Sequence, residues 1–302
     1  MKRTGVLTVS IILGIALLFP SQPKASPLYT INGAVSLKLN KDTFKNWKNI
    51  SGKLRKGFSD LTAEEEYYIG RAVSAKILTR YKVYDDLERN TYINTLGQLL
   101  AWSSSRPEIF GGYHFTLIES DEINAFAAPG GFIFVTTGLY RSVENEEQLA
   151  AVLAHEIAHV NLQHGLRAIK KSNLTEAFSL IGTEVAKSYN KEQLLQLTGV
   201  FGKSVDDIVN QLVVSGYSRG QEYDADEEAL RIAHGAGYNP DGLGEFLESL
   251  QQASEEGQPK GFTSTHPPAE KRLGKVDKFL KKVELTGSTE TQRSSRFAGL
   301  KL

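Results

Sequence analysis

Two imidazoles and a carboxylate stand within five residues at His155-Glu156-Ile157-Ala158-His159. Residues four apart on an α-helix share a face, so His155 and His159 can aim their rings at one metal ion. Glu156 is then placed to take a proton from a water held by that ion. A metal-dependent peptide hydrolase needs this combination of ligands and base. The competing use of the same rings is structural, as core histidines satisfied by backbone carbonyls.

Such chemistry requires a helix that is firmly placed. The run from Leu149 to Val160 (LAAVLAHEIAHV) is helix-forming and apolar almost all round. A helix apolar on every side is a buried helix, and imidazoles buried with it need partners. Asn145 is the natural N-cap, with Gln148 as its capping-box partner, which predicts a helix from 146 to about 163. Upstream, Thr62 with Glu65 predicts a capped helix carrying Tyr68, Ile69, Val73, Ile77 and Leu78, to about residue 81. A second helix is expected over 86–102. The texture then changes to period two: Tyr113, Phe115 and Leu117 alternate with His114, Thr116 and Ile118. Stretches 123–128 and 131–137 follow, joined at Pro129-Gly130-Gly131, which reads as strand, tight turn, strand. Three short strands predict a small, mostly antiparallel sheet beside the helices. Its edge would be available to an extended peptide.

Downstream, 170–204 reads as helix interrupted at Gly182, Gly199 and Gly202, and 205–234 as one long helix. Asn239-Pro240 and Pro267-Pro268 open two more, to about 253 and 283. The Ser/Thr/Arg-rich tail 284–302 is expected to be disordered. The fold class is therefore α+β and mostly helical. Residues 61–283 form one domain, preceded by an arm over 26–60.

Composition narrows the function. The chain has 302 residues, 40% of them hydrophobic, and a formal net charge of zero. No basic stripe favours nucleic acid. Cysteine is absent, which rules out disulfides, thiol nucleophiles and thiolate ligands. Any zinc must be held by His, Asp or Glu. The N-terminus has the pattern of an export signal: Lys2 and Arg3, an uncharged apolar stretch from Val6 to Phe19, then Pro20. Cleavage after Ala25 would release residues 1–25 and place the protein in the periplasm. An uncleaved segment would instead hold it near the membrane.

A catalytic zinc usually takes three protein ligands. Glu222-Tyr223-Asp224-Ala225-Asp226 offers the third, since Glu222 and Asp226 are one turn apart and share a face. Arg219 lies one turn before Glu222 and could hold a carboxylate in place. A solvated charged face would have the same composition, and spacing alone does not choose Glu222 over Glu227.

HEIAH followed by Ser218-Arg219-Gly220-Gln221-Glu222-Tyr223-Asp224-Ala225-Asp226 resembles the HtpX/BepA-type zinc metallopeptidases, gluzincins related to the CAAX prenyl and Oma-type proteases. Leu61 to Glu66, Asn124 to Gly131, Thr137-Gly138-Leu139 and Thr265-His266-Pro267-Pro268 match as well, in family order over roughly 60–282. The nearest branch is the periplasmic BepA type without its helical repeat domain. The resemblance implies a zincin-type fold and one zinc ion per chain, with Glu222 as third ligand and Asp226 supporting a ligand histidine. It implies that Asn124, Ala125, Phe126, Ala127 and Ala128 line the cleft as a substrate-pairing strand. It also implies that His266 can swing to the zinc as a fourth ligand and keep the enzyme latent; otherwise His266 is a histidine near a helix start. The remaining histidines, His114, His164 and His234, read as structural or exposed.

The resulting expectation is an endopeptidase for extended or misfolded polypeptide. Glu156 serves as base, and Arg219, Tyr217 or His266 as oxyanion donor. The alternative is a zinc-stabilised, chaperone-like binding module, which would have no use for Glu156.

Overall fold

The computed structural model describes residues 63–167, 202, 205–255, 262–266, 269–281 and 290–302. Helix α1 (Ala63–Ile77) leads through the short strand β1 (Lys82–Val83) to α2 (Leu87–Trp102). The extended Asp86 caps α2, its carboxylate accepting the Arg89 N–H at 2.9 Å. Strands β2 (His114–Glu119), β3 (Ala125–Ala128) and β4 (Phe132–Thr136) follow, then the short α3 (Thr137–Ser142) and the central helix α4 (Glu146–Asn161). A single turn, α5 (His164–Arg167), comes next. The remaining elements are a π-helical turn (Gln211–Ser215), α6 (Arg219–Gly235), α7 (Gly242–Glu255), the turn α8 (Phe262–Thr265), α9 (Ala269–Leu280) and α10 (Glu290–Ala298).

The sheet order is β1-β2-β4-β3. Both outer pairings are antiparallel, but the central pair is parallel, with Phe115 opposite Ile133 and Leu117 opposite Val135. The sheet is thus mixed and, with two of its three pairings antiparallel, mostly antiparallel as expected. After the turn at Pro129–Gly131 the chain inserts β4 between β2 and β3, so β4 must run alongside β2 in the same direction. This leaves β3 at the edge. The alternation seen in the sequence sorts side chains between two apolar cores. Phe115, Leu117, Ala125, Ala127, Ile133 and Val135 join the large core around α2, α4, α6 and α7. Ile118, Phe126, Ala128, Phe132 and Phe134 face a second core with Val73 and Ile77 of α1, Leu166 and Ile208. A strand covered on both faces is continuously apolar, as β3 and Phe132 to Val135 of β4 are.

Two expectations need correction. The helix expected over 205–234 is broken at Gly216, which takes φ 68° and lies so close to Thr265 that a Cβ would meet its carbonyl oxygen at 1.9 Å. The tail expected to be disordered contains α10, with Phe297 buried in the large core. Its composition looked unfoldable because the partners of its arginines are distant acids, described below. The leader, the 26–60 arm, the Thr62 cap and most of the 170–204 stretch lie outside the described residues. Among the described residues no helix is long and apolar enough to cross a membrane.

Helix α1 closes on the Pro129–Gly131 turn at Gly70, where a Cβ would lie 1.8 Å from the Pro129 carbonyl oxygen. Gly70→Ala is expected to cost about 1–3 kcal/mol through overpacking. The measurement is a lowered denaturant midpoint at unchanged slope.

Candidate metal centre

All sixteen residues of α4 are buried, including His155, Glu156 and His159. Asn145 caps it, its side chain accepting the Gln148 N–H at 2.8 Å. Gln148 reciprocates one residue further out, taking the Glu144 N–H at 3.0 Å. The i, i+4 spacing brings the His155 and His159 Nε2 atoms to 3.0 Å from one another. Two nitrogens bound tetrahedrally to one zinc would be about 3.3 Å apart.

Helix α6 crosses this face. Ser218 caps it in a capping box with Gln221, which fixes the first turn and points Glu222 inward. Its carboxylate oxygens lie 3.5 Å from His155 Nε2 and 3.5 Å from His159 Nε2. His266, at the end of α8, brings Nδ1 to within 2.9 and 2.8 Å of the two Glu222 oxygens. One donor atom from each of these four buried side chains lies within 4.8 Å of the others. An all-nitrogen-and-oxygen set, buried and packed this tightly, fits a zinc ion.

A further layer holds the four donors. Asp226 Oδ1 stands 3.1 Å from His155 Nδ1, at ion-pair distance although poorly aligned for a hydrogen bond. Arg272 of α9 grips Asp226 with two hydrogen bonds, 2.8 and 2.6 Å, and its third nitrogen is 3.4 Å from Glu222. Burial pushes the Asp226 carboxyl up, but Arg272 and His155 outweigh it and hold its pKa at about 2. Burial likewise works against the Glu222 anion. The adjacent His266, His155 and Arg272 prevail, and its pKa lies well below the usual carboxylate range. His164 approaches His159 from behind, Nδ1 to Nδ1 at 2.8 Å. Burial and Arg167 lower the His164 pKa to about 4, so the ring is neutral and its Nδ1 can accept the His159 N–H. That fixes the tautomer in which His159 Nε2 is free to ligate. Tyr217 stacks on His159 with ring centroids 4.1 Å apart, and Phe262 on His266 at 3.9 Å.

Glu156 differs from the other acids. It is wholly buried, and neither oxygen has a hydrogen-bond partner among the described residues. Burial raises its pKa against the pull of His266 and His155. A carboxylate with heightened proton affinity and no competing partner is suited to general-base work.

The other residues singled out in the sequence fall as follows. Ala125, Phe126 and Ala127 lie on the edge strand β3, and Asn124 immediately before it accepts a hydrogen bond from the Thr265 hydroxyl at 3.2 Å. Arg219 does not join the site. It is exposed at the start of α6, and the cation beside Glu222 and Asp226 is Arg272. In the sequence Arg272 was one basic residue among Lys271, Lys275 and Lys278, with nothing to mark it. His164 was equally unmarked.

The profile of Peptidase family M48 matches residues 87–280, which contain all four donors, Glu156 and Arg272. The chain belongs to peptidase family M48. This M48 peptidase is 30% identical over 220 residues to the Beta-barrel assembly-enhancing protease of Escherichia coli (strain K12), across 71% of the chain and 44% of that protein. It is 32% identical over 192 residues to the Yersinia pestis protein of the same name, across 63% of the chain and 38% of that protein. Similarity extends to the mitochondrial metalloendopeptidase OMA1 of Schizosaccharomyces pombe, at 26% over 239 residues, 78% of the chain and 67% of that protein. The chain spans less than half the length of these bacterial relatives.

His164→Ala should leave the fold intact and weaken zinc binding by about 10–100-fold, the usual effect of losing a ligand's orienting partner. Competition with a chromogenic chelator measures it.

Proposed function

We propose that this M48 peptidase is a zinc-dependent endopeptidase of the cell envelope that cuts extended or misfolded polypeptide and is held latent by His266. The observation that carries the reading is a buried cluster of four donors beside a carboxylate, Glu156, that has no hydrogen-bond partner among the described residues. The export-signal pattern of residues 1–25 supports the envelope assignment, as do relatives named for β-barrel assembly.

In this reading His155, His159 and Glu222 hold the ion, with Asp226, Arg272 and His164 fixing their orientation. Zinc, when bound, supplies Lewis acidity, acidifying water and polarising a carbonyl. Glu156 accepts the proton of the attacking water and later hands it to the leaving amine, a transfer that its raised proton affinity favours. Of the candidate oxyanion donors, Arg219 is exposed and His266 lies against Glu222. The Tyr217 hydroxyl is buried, with no hydrogen-bond partner among the described residues, beside the ring of His159. Tyr217 is therefore the donor best supported for the charge that develops on the scissile oxygen.

The substrate backbone pairs along Asn124 to Ala128, so selectivity for side chains is broad. The start of that edge is covered by the α8 turn, where the Phe262 N–H bonds to the Ile123 carbonyl and Thr265 to Asn124. A peptide entering as an added strand displaces this turn, and His266 leaves with it. Substrate arrival and release of the fourth donor are then one event.

Glu156→Gln should retain stoichiometric zinc and the wild-type melting temperature while lowering cleavage of an unfolded protein such as casein by at least about a thousandfold. Activity near wild type in that variant would overturn the base assignment, and cleavage that survives a strong chelator would overturn the zinc dependence. His266→Ala should raise casein cleavage severalfold at equal zinc content. An unchanged or lower rate would remove His266 from regulation.

A further inference from the structure

Helix α10 lies outside the stretch matched by the family, which ends at residue 280, yet it supplies cations to two acids inside that stretch. Glu146 and Glu147 form the first turn of α4, where acids suit the helix dipole but where both are buried. Arg296 clasps Glu146: its Nε donates to one carboxylate oxygen at 2.8 Å and an Nη to the other. Tyr92 and Tyr238 donate their hydroxyls to the same carboxylate, at 2.6 and 2.8 Å. Arg293 donates to Glu147 at 2.9 Å and to the Gly237 carbonyl at 2.8 Å, its guanidinium lying over the Tyr238 ring. Phe297 seals the contact beside Tyr140, and Arg89 and the Tyr140 hydroxyl bind the carbonyl of Leu300.

We propose that Arg293 and Arg296 are positioning residues for catalysis, a clip from outside the family domain that fixes the axial position and rotation of the helix carrying His155 and Glu156. The inference rests on the function proposed above. Glu146 stands about two and a half turns before His155 on one unbroken helix, so movement of the first turn is carried to the site. Without the arginines the helix keeps its Asn145 cap and apolar packing, and Glu146 keeps two phenol donors. The fold therefore persists. The two acids, however, lose their counter-charges and draw the first turn toward water. His155 and Glu156 then shift against Glu222, which sits on a different helix.

The test uses the full chain carrying Arg296→Ala, with Arg296→Lys as the conservative variant. Val73→Ala, in the other core, serves as a control for general destabilisation. Steady-state cleavage of a fluorogenic unfolded substrate, zinc retention against a chelator and amide hydrogen exchange are read on each. Expected for Arg296→Ala are a kcat lower by about ten- to a hundredfold with KM within about twofold, weaker zinc retention, and faster exchange confined to the first turns of α4. Arg296→Lys should recover most of the loss. The proposal is overturned if kcat is unchanged, or if its loss merely follows the unfolded fraction as in Val73→Ala. Should Arg296→Ala not fold, Arg293→Ala and Arg296→Lys are read for the same split, and wild-type kcat in both overturns the proposal. Should the wild type cleave nothing, the endopeptidase reading fails. Zinc retention and exchange then judge the clip alone, and wild-type values of both overturn it.

Discussion

A helix with no exposed residue that nevertheless carries acids at its start and histidines in its middle is the constraint on which this fold is built. Each of those groups loses its hydration in α4 and must recover the loss from protein partners. Glu146 and Glu147 recover it from α10 and from tyrosines on α2 and beyond α6. His155 and His159 recover it from Glu222, Asp226 and His164. At the far end Asn161 accepts the Tyr113 hydroxyl at 2.7 Å, and Arg106 bonds the Val160 carbonyl while paired with buried Glu66 of α1. Elements far apart in sequence are thereby tied to one rod at defined heights. Among the described residues of α4, only the Glu156 carboxylate has no hydrogen-bond partner at any of its atoms, and buried polar groups left open in this way are uncommon outside functional sites.

Charge neutralisation also explains the order of layers around the four candidate donors. Glu222 and Asp226 together would be intolerable next to an apolar helix. Arg272, itself fully buried, offsets them, and it can do so because α9 packs on α6. The planar guanidinium reaches both carboxylates at once, which a lysine at the same place could not do.

The sequence disclosed what was local and withheld what was not. The HEIAH spacing placed two rings on one face because helix geometry leaves no choice, and the Asn145 cap set the start of α4 to the residue. Helix α2 and the three longer strands were legible from periodicity. Strand order was not: the same alternation fits a meander, and the insertion of β4 beside β2 depends on contacts across the sheet. Arg219 was a reasonable candidate by spacing from Glu222, but its position at the first turn of α6 turns it to solvent. Arg272, 46 residues beyond Asp226, carried no local mark. The arginines of α10 were mistaken for a solvated tail because their partners lie about 150 residues upstream.

The missing side chain at Gly216 has an effect of its own. With its backbone pressed on Thr265, this residue lets the π-helical turn and the α8 turn nest at a spacing that any larger residue would prohibit. How closely Thr265, and His266 after it, seat against the start of α6 is thereby set at a point that is none of the four donor residues. A side chain at that single position would push the α8 turn outward while leaving His155, Glu156 and His159 on their own helix unaltered.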